Sequence, residues 1–254
     1  MRRLRHLSGQ HRTASTNRLL GGLLAFNAGA INAGGFLLVD LYTSHMTGFV
    51  SMLADHLVLG NMALALGALG ALLAFTSGAA VTAILVNWSR QNWLRSEVAL
   101  PLLIEAMLLL AFGLLGASFT RQTPFAVPLT VLMLAFIMGL QNALVSKMSA
   151  SQIRTTHMTG VITDIGIELG KMLYWNHSAR APESRVRANR IKLLLYGTLL
   201  ACFVAGGLIG ALGFKHIGFI WVVPLSVGLL ALSLPPLWAD FLRLRKLKLA
   251  RQLP

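Results

Sequence analysis

Thr43-Ser44-His45-Met46-Thr47-Gly48 is the stretch that decides how this chain folds, because a near copy, Thr155-Thr156-His157-Met158-Thr159-Gly160, follows 112 residues later. Each copy comes shortly after a Gly-x-x-Asn-Ala string in an apolar stretch, at residues 29–33 and 139–143. Self-similarity at a fixed offset indicates an internal duplication. Because polar, turn-forming residues interrupt a membrane-type sequence twice, the two copies predict breaks in the backbone inside or beside a bilayer.

The composition is that of an integral membrane protein. Of the 254 residues, 56% are hydrophobic and 12% are charged, whereas soluble domains have about 45–50% apolar and about 25% charged residues. The net charge of +14 raises the question of nucleic-acid binding, but the Lys and Arg residues lie between and beyond the apolar runs, with Lys192 at the edge of one. This placement instead predicts a chain that is oriented by its basic loops and attracted to anionic lipid headgroups, with no nucleic-acid partner. The single cysteine, Cys202, excludes an internal disulfide.

Six apolar stretches are long enough to cross about 30 Å of hydrocarbon as helices that rise about 1.5 Å per residue. They run over residues 19–39, 62–86, 98–119, 125–146, 191–214 and 217–238. With both termini in the cytoplasm, 20 of the 22 Lys and Arg residues fall on the cytoplasmic side. The positive-inside rule therefore predicts six spans with a cytoplasmic N-terminus and a cytoplasmic C-terminus.

The duplication extends beyond the motif, since the string at residues 70–78 is echoed at residues 197–206. Each repeat then holds three spans and a short segment after its first span. Because three is odd, the two repeats must lie in opposite orientations, which is the architecture of many transporters. The predicted fold is all-α, with two inverted three-helix membrane repeats between basic tails: a tail at 1–18, repeats at 19–124 and 125–240, and a juxtamembrane tail at 241–254.

The short segments after the motif copies, 47–59 and 159–175, have helical patterns but are too short or too polar to be comfortable spans. They are either broken, re-entrant half-helices or helices that lie at the membrane interface. Thr155 or Thr156 is predicted to cap the second segment with its hydroxyl. A helix N-terminus at membrane depth can bind an anion through its free N–H groups and its dipole.

Three strings, Asn32-Ala33-Gly34-Gly35-Phe36, Tyr42 through Gly48 and Thr155 through Gly170, resemble the YoaK-like family of bacterial inner-membrane proteins, a family catalogued as a domain of unknown function. The resemblance covers most of residues 19–238. It implies a multi-spanning protein of the bacterial inner (plasma) membrane, and it implies no established activity or substrate.

Repetition makes the motif residues, and the Asn residue before each copy, candidate ligands of a solute. They are predicted to form one substrate-binding site: Asn32, Thr43, Ser44, His45, Thr47, Gly48, Asn142, Thr155, Thr156, His157, Thr159 and Gly160. Structural alternatives stay open, namely a capped surface turn for the first copy, a solvated amphipathic helix for the second, and interhelical hydrogen bonds for the two Asn side chains.

Three acidic side chains are candidates for proton coupling. Glu105 lies about 10 Å into the third predicted span, where a carboxylate costs about 2.5–3.5 kcal/mol on insertion scales. Asp164 and Glu168 follow the second motif copy on one helical face with Lys171. The alternatives are an interhelical hydrogen bond at Glu105 and an ordinary i,i+3 ion pair between Glu168 and Lys171.

The leading hypothesis is a transporter or channel-like permease for a small polar or anionic solute, with proton coupling as an option. The alternative is a membrane scaffold or partner-binding subunit that does not transport. An intramembrane enzyme that uses His157 with Asp164 or Glu168 is disfavoured, because no nucleophile, metal set or cofactor motif accompanies them. We therefore expect no enzyme activity, no cofactor and no metal, while glycine pairs such as Gly206 and Gly210 leave a homodimer open.

Overall fold

The computed structural model describes residues 14–92, 94, 96–118, 126–149, 153, 155–176 and 185–250. Across these residues the chain contains helices and no strand, which confirms the predicted all-α class. Eight α-helices follow one another in this part of the chain: α1 (Ala14–Val39), α2 (Met46–Val58), α3 (Met62–Gln91), α4 (Ala99–Ser118), α5 (Ala126–Met148), α6 (Met158–Leu173), α7 (Arg190–His216) and α8 (Val222–Ala250). A short 3₁₀ helix, Gly218–Trp221, precedes α8.

Five of the described helices, α1, α3, α5, α7 and α8, are long and apolar enough to cross a membrane. The fully described part of α4, Ala99–Leu114, is a shorter apolar helix. Helix α8 continues to Ala250 through the tail boundary predicted at residue 240, although Pro235 and Pro236 lie inside it. Residues 1–13 and 251–254 of the predicted basic tails lie outside the described residues.

The helices pack in pairs that follow the duplication. Helix α1 lies along α7, and α3 lies along α5. Since α5 and α7 carry the second copies of the strings found in α1 and α3, these two pairs are equivalent in sequence. Helix α4 packs against α8, and the short helices α2 and α6 pack on α3 and α7 respectively.

Four glycines, one in each of α1, α3, α5 and α7, let the paired helices approach to backbone contact. A β-carbon on any of them would collide with a Phe carbonyl of the partner helix: Gly29 with Phe203, Gly206 with Phe26, Gly78 with Phe136 and Gly139 with Phe75. Small residues at crossings allow such close approach of membrane helices. The contacts are reciprocal within each pair and recur in the second pair, so they fix the two crossings in the same way.

Two Gly-x-x-x-Gly pairs, one on α6 and one on α7, differ in their packing. Gly206 and Gly210 both pack against the backbone of α1, where Gly210 meets Ala30. At Gly166 and Gly170 on α6, a β-carbon would meet no described atom within 4 Å. The pair on α7 therefore packs closely on α1, and the pair on α6 faces open space in the described part of the chain.

Helices α2 and α3 form an antiparallel hairpin around Gly60, which adopts a left-handed φ of 73°. Met46, the first residue of α2, and Phe75, near the midpoint of α3, pack on the same apolar cluster around Phe49. Since the 13 residues of α2 span about 20 Å, its N-terminus lies beside the middle of α3. The sequence after the first motif copy thus forms the short helix that was predicted.

Candidate functional site

A cavity of about 750 Å³ lies between the two motif copies. Most of its lining consists of equivalent residues from the two repeats, namely the Asn before each motif, four consecutive motif residues and a Phe from each of α3 and α7. The described lining residues are Asn32, Tyr42, Ser44, His45, Met46, Thr47, Phe75, Asn142, Ser146, Thr156, His157, Met158, Thr159 and Phe203. Two strings that are 112 residues apart in the sequence therefore meet at one cavity.

The chain folds back from the end of α1 so that the first motif copy reaches Asn32. Asp40 turns the chain with a φ of 55°, a left-handed conformation that Asp adopts more readily than most residues. Tyr42 stacks on Phe36 with ring centroids 4.8 Å apart. The hydroxyl and the backbone N–H of Ser44 donate to Oδ1 of Asn32 over 3.0 and 3.3 Å. These contacts anchor the first copy to α1.

An equivalent anchor holds the second copy to α5. The hydroxyl of Thr156 donates to Oδ1 of Asn142 over 2.7 Å, and Nδ2 of Asn142 donates to the Met138 carbonyl within α5 over 3.1 Å. Each Asn thus orients its side chain toward a hydroxyl of its own motif copy. At the other end of α6, the backbone N–H of Asn189 donates to Oε2 of Glu168 over 2.6 Å, so α6 is tied to the start of α7.

The predicted N-cap at Thr155 or Thr156 is wrong. Helix α6 begins at Met158, so His157 is its N-cap residue, and His45 holds the same position in α2. Neither histidine makes a side-chain capping hydrogen bond. The hydroxyl of Thr156 is used in the anchor to α5, and the buried hydroxyl of Thr155 has no partner among the described residues.

Each motif glycine makes room for the imidazole of the histidine three residues before it. A β-carbon at Gly48 would lie 2.6 Å from Nδ1 of His45, and one at Gly160 would lie 2.5 Å from Nδ1 of His157. A real β-carbon does not come this close to another heavy atom without displacing it. The ring of each histidine therefore lies over the first turn of its helix, at the edge of the cavity.

Two helix N-termini open onto the cavity. Met46 and Thr47 begin α2, Met158 and Thr159 begin α6, and all four residues line the cavity. The N–H groups of Met46 and Met158 donate to the carbonyls of Ser44 and Thr156 over 3.1 and 2.9 Å. The next two N–H groups of each helix have no partner within the helix and lie at the positive end of its dipole. Among the described lining residues none is Asp, Glu, Lys or Arg. The electrostatics of this lining therefore favour an anion or a polar acceptor.

Eight of the twelve predicted solute ligands line the cavity. The other four lie next to it: Thr43 and Thr155 are fully buried, and Gly48 and Gly160 lie under the histidine rings. Sequence reasoning missed six lining residues, namely Tyr42, Met46, Phe75, Ser146, Met158 and Phe203. A signal existed for four of them, since both Met residues are inside the motif and both Phe residues are inside the echoed string of α3 and α7.

Glu105 belongs to a second polar cluster, between α1, α4 and α5. Its side chain is 1% exposed, and Nδ2 of Asn27 donates to its Oε1 over 3.2 Å. Its Oε2 has no partner in the part of the chain that the structure describes. The buried side-chain amide of Gln141 donates to the carbonyl of Leu24, which lies one helical turn before Asn27 on α1. This cluster is separate from the described cavity lining.

Glu168 forms the i,i+3 ion pair with Lys171, whose Nζ lies 2.9 Å from its Oε1. The hydrogen bond from Lys171, followed by that from the backbone N–H of Asn189, lowers the pKa of Glu168. Asp164 lies one turn earlier on α6 and is partly exposed. Neither acid is among the described residues of the cavity lining.

The comparisons with known proteins agree with the sequence resemblance. A family model described as a protein of unknown function (DUF1275) matches residues 20–234. The chain is also 25% identical over 190 residues to the UPF0700 transmembrane protein YoaK of Bacillus subtilis (strain 168), a match that covers 74% of this chain and 83% of that protein. No solved structure matches the chain. The matched range contains both motif copies and the described cavity lining, and the chain is therefore a multi-pass transmembrane protein of the DUF1275 family.

Proposed function

We propose that this protein is a permease that moves a small polar or anionic solute across the bacterial inner membrane through the cavity between the motif copies. The observation that carries the proposal is that equivalent residues of both copies, each at a helix N-terminus, line one cavity. Transporters commonly bind their solute where two broken helices meet between repeats. The two helix N-termini, with no acid among the described lining residues, favour an anion.

The topology that we propose has six spans in two inverted repeats, with both termini in the cytoplasm. Helix α4 would be the sixth span, because its 20 residues extend about 30 Å. The reciprocal glycine contacts of the α1–α7 and α3–α5 pairs support the relation between the repeats. In this arrangement α2 and α6 are re-entrant half-helices that enter from opposite faces of the membrane.

Glu105 is the side chain that we propose for proton coupling. The apolar parts of four other helices contain no Asp, Glu, His, Lys or Arg. These parts are residues 19–39 of α1, 62–89 of α3, 126–146 of α5, and 218–239 in and before α8. One oxygen of Glu105 has no partner among the described residues, and an uncompensated buried charge is costly. A proton on that oxygen would remove this cost.

A flux assay in proteoliposomes with a panel of small anions and polar solutes tests the proposal. His45→Ala combined with His157→Ala should lower uptake by about tenfold or more, because two cavity-edge donors are lost. The matched control is His56→Ala, on α2 but outside the described cavity lining, which should leave uptake unchanged. Unchanged uptake in the double variant would refute the site, and absence of flux for every solute would favour the scaffold alternative.

A further inference from the structure

We infer that the solute is a small organic anion, a carboxylate that carries an apolar body, and not a simple inorganic anion. This inference deepens the proposed function and rests on the same cavity as its site. It rests on the composition of the cavity lining, which combines polar donors with apolar side chains.

The polar donors of the lining are open toward the cavity. His45, Thr47, His157 and Thr159 are all exposed, and all four line the cavity. Their side chains make no hydrogen bond to another described residue, unlike Ser44 and Thr156 in the two Asn anchors. Four side-chain donors beside two helix N-termini can bind the oxygens of one anionic group.

Five other lining residues present apolar surface, and two of these, Phe75 and Phe203, are fixed in position by backbone contacts. Phe75 and Phe203 contribute rings, and the carbonyls of the same two residues are in the backbone contacts with Gly139 and Gly29. The thioethers of Met46 and Met158 and the ring of Tyr42 add further apolar surface. An inorganic anion would lose hydration at such a wall and gain no partner there. An apolar body gains free energy from burial against it.

The anion site and the apolar wall are within the length of one small molecule. Met46 and Phe75 pack on one cluster, and Phe75 meets Gly139, one helical turn before Asn142. Asn142 in turn holds the second motif copy. The cavity of about 750 Å³ is in the range of small-molecule sites, about 300–1,000 Å³, and is far larger than the roughly 30 Å³ of one water molecule.

The test is equilibrium binding of straight-chain carboxylates, from acetate to octanoate, to the full-length protein in lipid nanodiscs. Affinity should rise roughly fourfold for each methylene until the cavity is filled, which is the factor that burial of one methylene confers. The matching primary amides and empty nanodiscs measure partition into lipid, and the amides should bind about tenfold more weakly. Chloride and phosphate should not compete with octanoate.

A variant pair assigns the apolar contribution to the cavity wall. Phe75→Ala combined with Phe203→Ala should lower octanoate affinity by about tenfold or more and change acetate affinity little. The matched control is Phe241→Ala, because the ring of Phe241 is exposed on α8. If the double variant does not fold, the chain-length series on the unaltered protein decides the question without it.

The outcomes separate this inference from the proposed function. A flat chain-length series, or competition by chloride or phosphate as strong as that of octanoate, overturns the organic class even if proteoliposomes show flux. Amides that bind as well as the carboxylates overturn the anion. Carboxylate binding with the expected increments supports the inference, and the absence of carboxylate flux beside it overturns only the permease.

Discussion

At the residue scale, one contact explains why the motif ends in glycine. The imidazole of His157 lies over the first turn of α6, where a β-carbon at Gly160 would be 2.5 Å from Nδ1. The same relation holds for His45 and Gly48. A turn before a helix requires neither this histidine nor a glycine three residues later. The repeated pair is therefore explained by the position of the ring at the cavity edge.

Also at the residue scale, Glu168 should make stability depend on acid pH. The hydrogen bonds from Lys171 and from the backbone N–H of Asn189 lower its pKa below the usual 4.5. A carboxyl whose pKa is lower in the folded state stabilises the fold above its unfolded pKa, and this contribution is lost as the pH falls through the folded pKa. We expect the melting temperature to fall below about pH 4.5.

Glu168→Gln should have a lower melting temperature than the unaltered protein at neutral pH and a shallower decline in acid. Thermal unfolding in nanodiscs between about pH 7 and about pH 3 measures both effects. Asp164→Asn is the control, because Asp164 lies on the same helix without an ion pair among the described residues. Identical pH profiles for Glu168→Gln and the unaltered protein would contradict the assigned role.

At the element scale, hydropathy was enough to predict where the long helices lie but not how they pair. Five of the six predicted spans end within five residues of the observed helices, because runs of apolar residues can satisfy their backbone only as helices in lipid. Each of the four helices that cross has a Phe-x-x-Gly string at its crossing point, at residues 26–29, 75–78, 136–139 and 203–206. This repeated string marks the crossing points in the sequence. A glycine does not specify the helix that it meets, so pairing requires the structure.

The same glycines give a prediction for the two helix pairs. Gly78→Ala and Gly206→Ala should each destabilise the protein by about 1–3 kcal/mol, because the new β-carbon meets a backbone carbonyl that cannot rotate away. The controls are Gly67→Ala on α3 and Gly197→Ala on α7, where a β-carbon would meet no described atom within 4 Å. Chemical unfolding in detergent micelles compares the four variants. The prediction fails if the crossing variants are as stable as the controls.

At the scale of the whole molecule, the sequence repeat was sufficient to identify most of the polar residues that line the cavity. A duplicated string with a histidine and hydroxyls pointed to both motif copies, and eight of the predicted residues line one cavity. The apolar half was not predicted, because the echoed string that contains Phe75 and Phe203 marks the duplication and does not show which of its residues face a cavity. Phe75 is beside the first motif copy because α2 begins next to the middle of α3, which is a property of the folded hairpin.

The largest prediction concerns the orientation of the repeats. Asn61, between α2 and α3, and Arg187, just before α7, are exposed residues in equivalent links of the two repeats. Segment 40–61 contains no Lys or Arg, whereas segment 147–190 contains seven, so the positive-inside rule assigns them to opposite faces. In a Cys202→Ser background, Asn61→Cys should react with a membrane-impermeant maleimide in intact spheroplasts. Arg187→Cys should react only after permeabilisation, and labelling of both from one side would exclude inverted repeats.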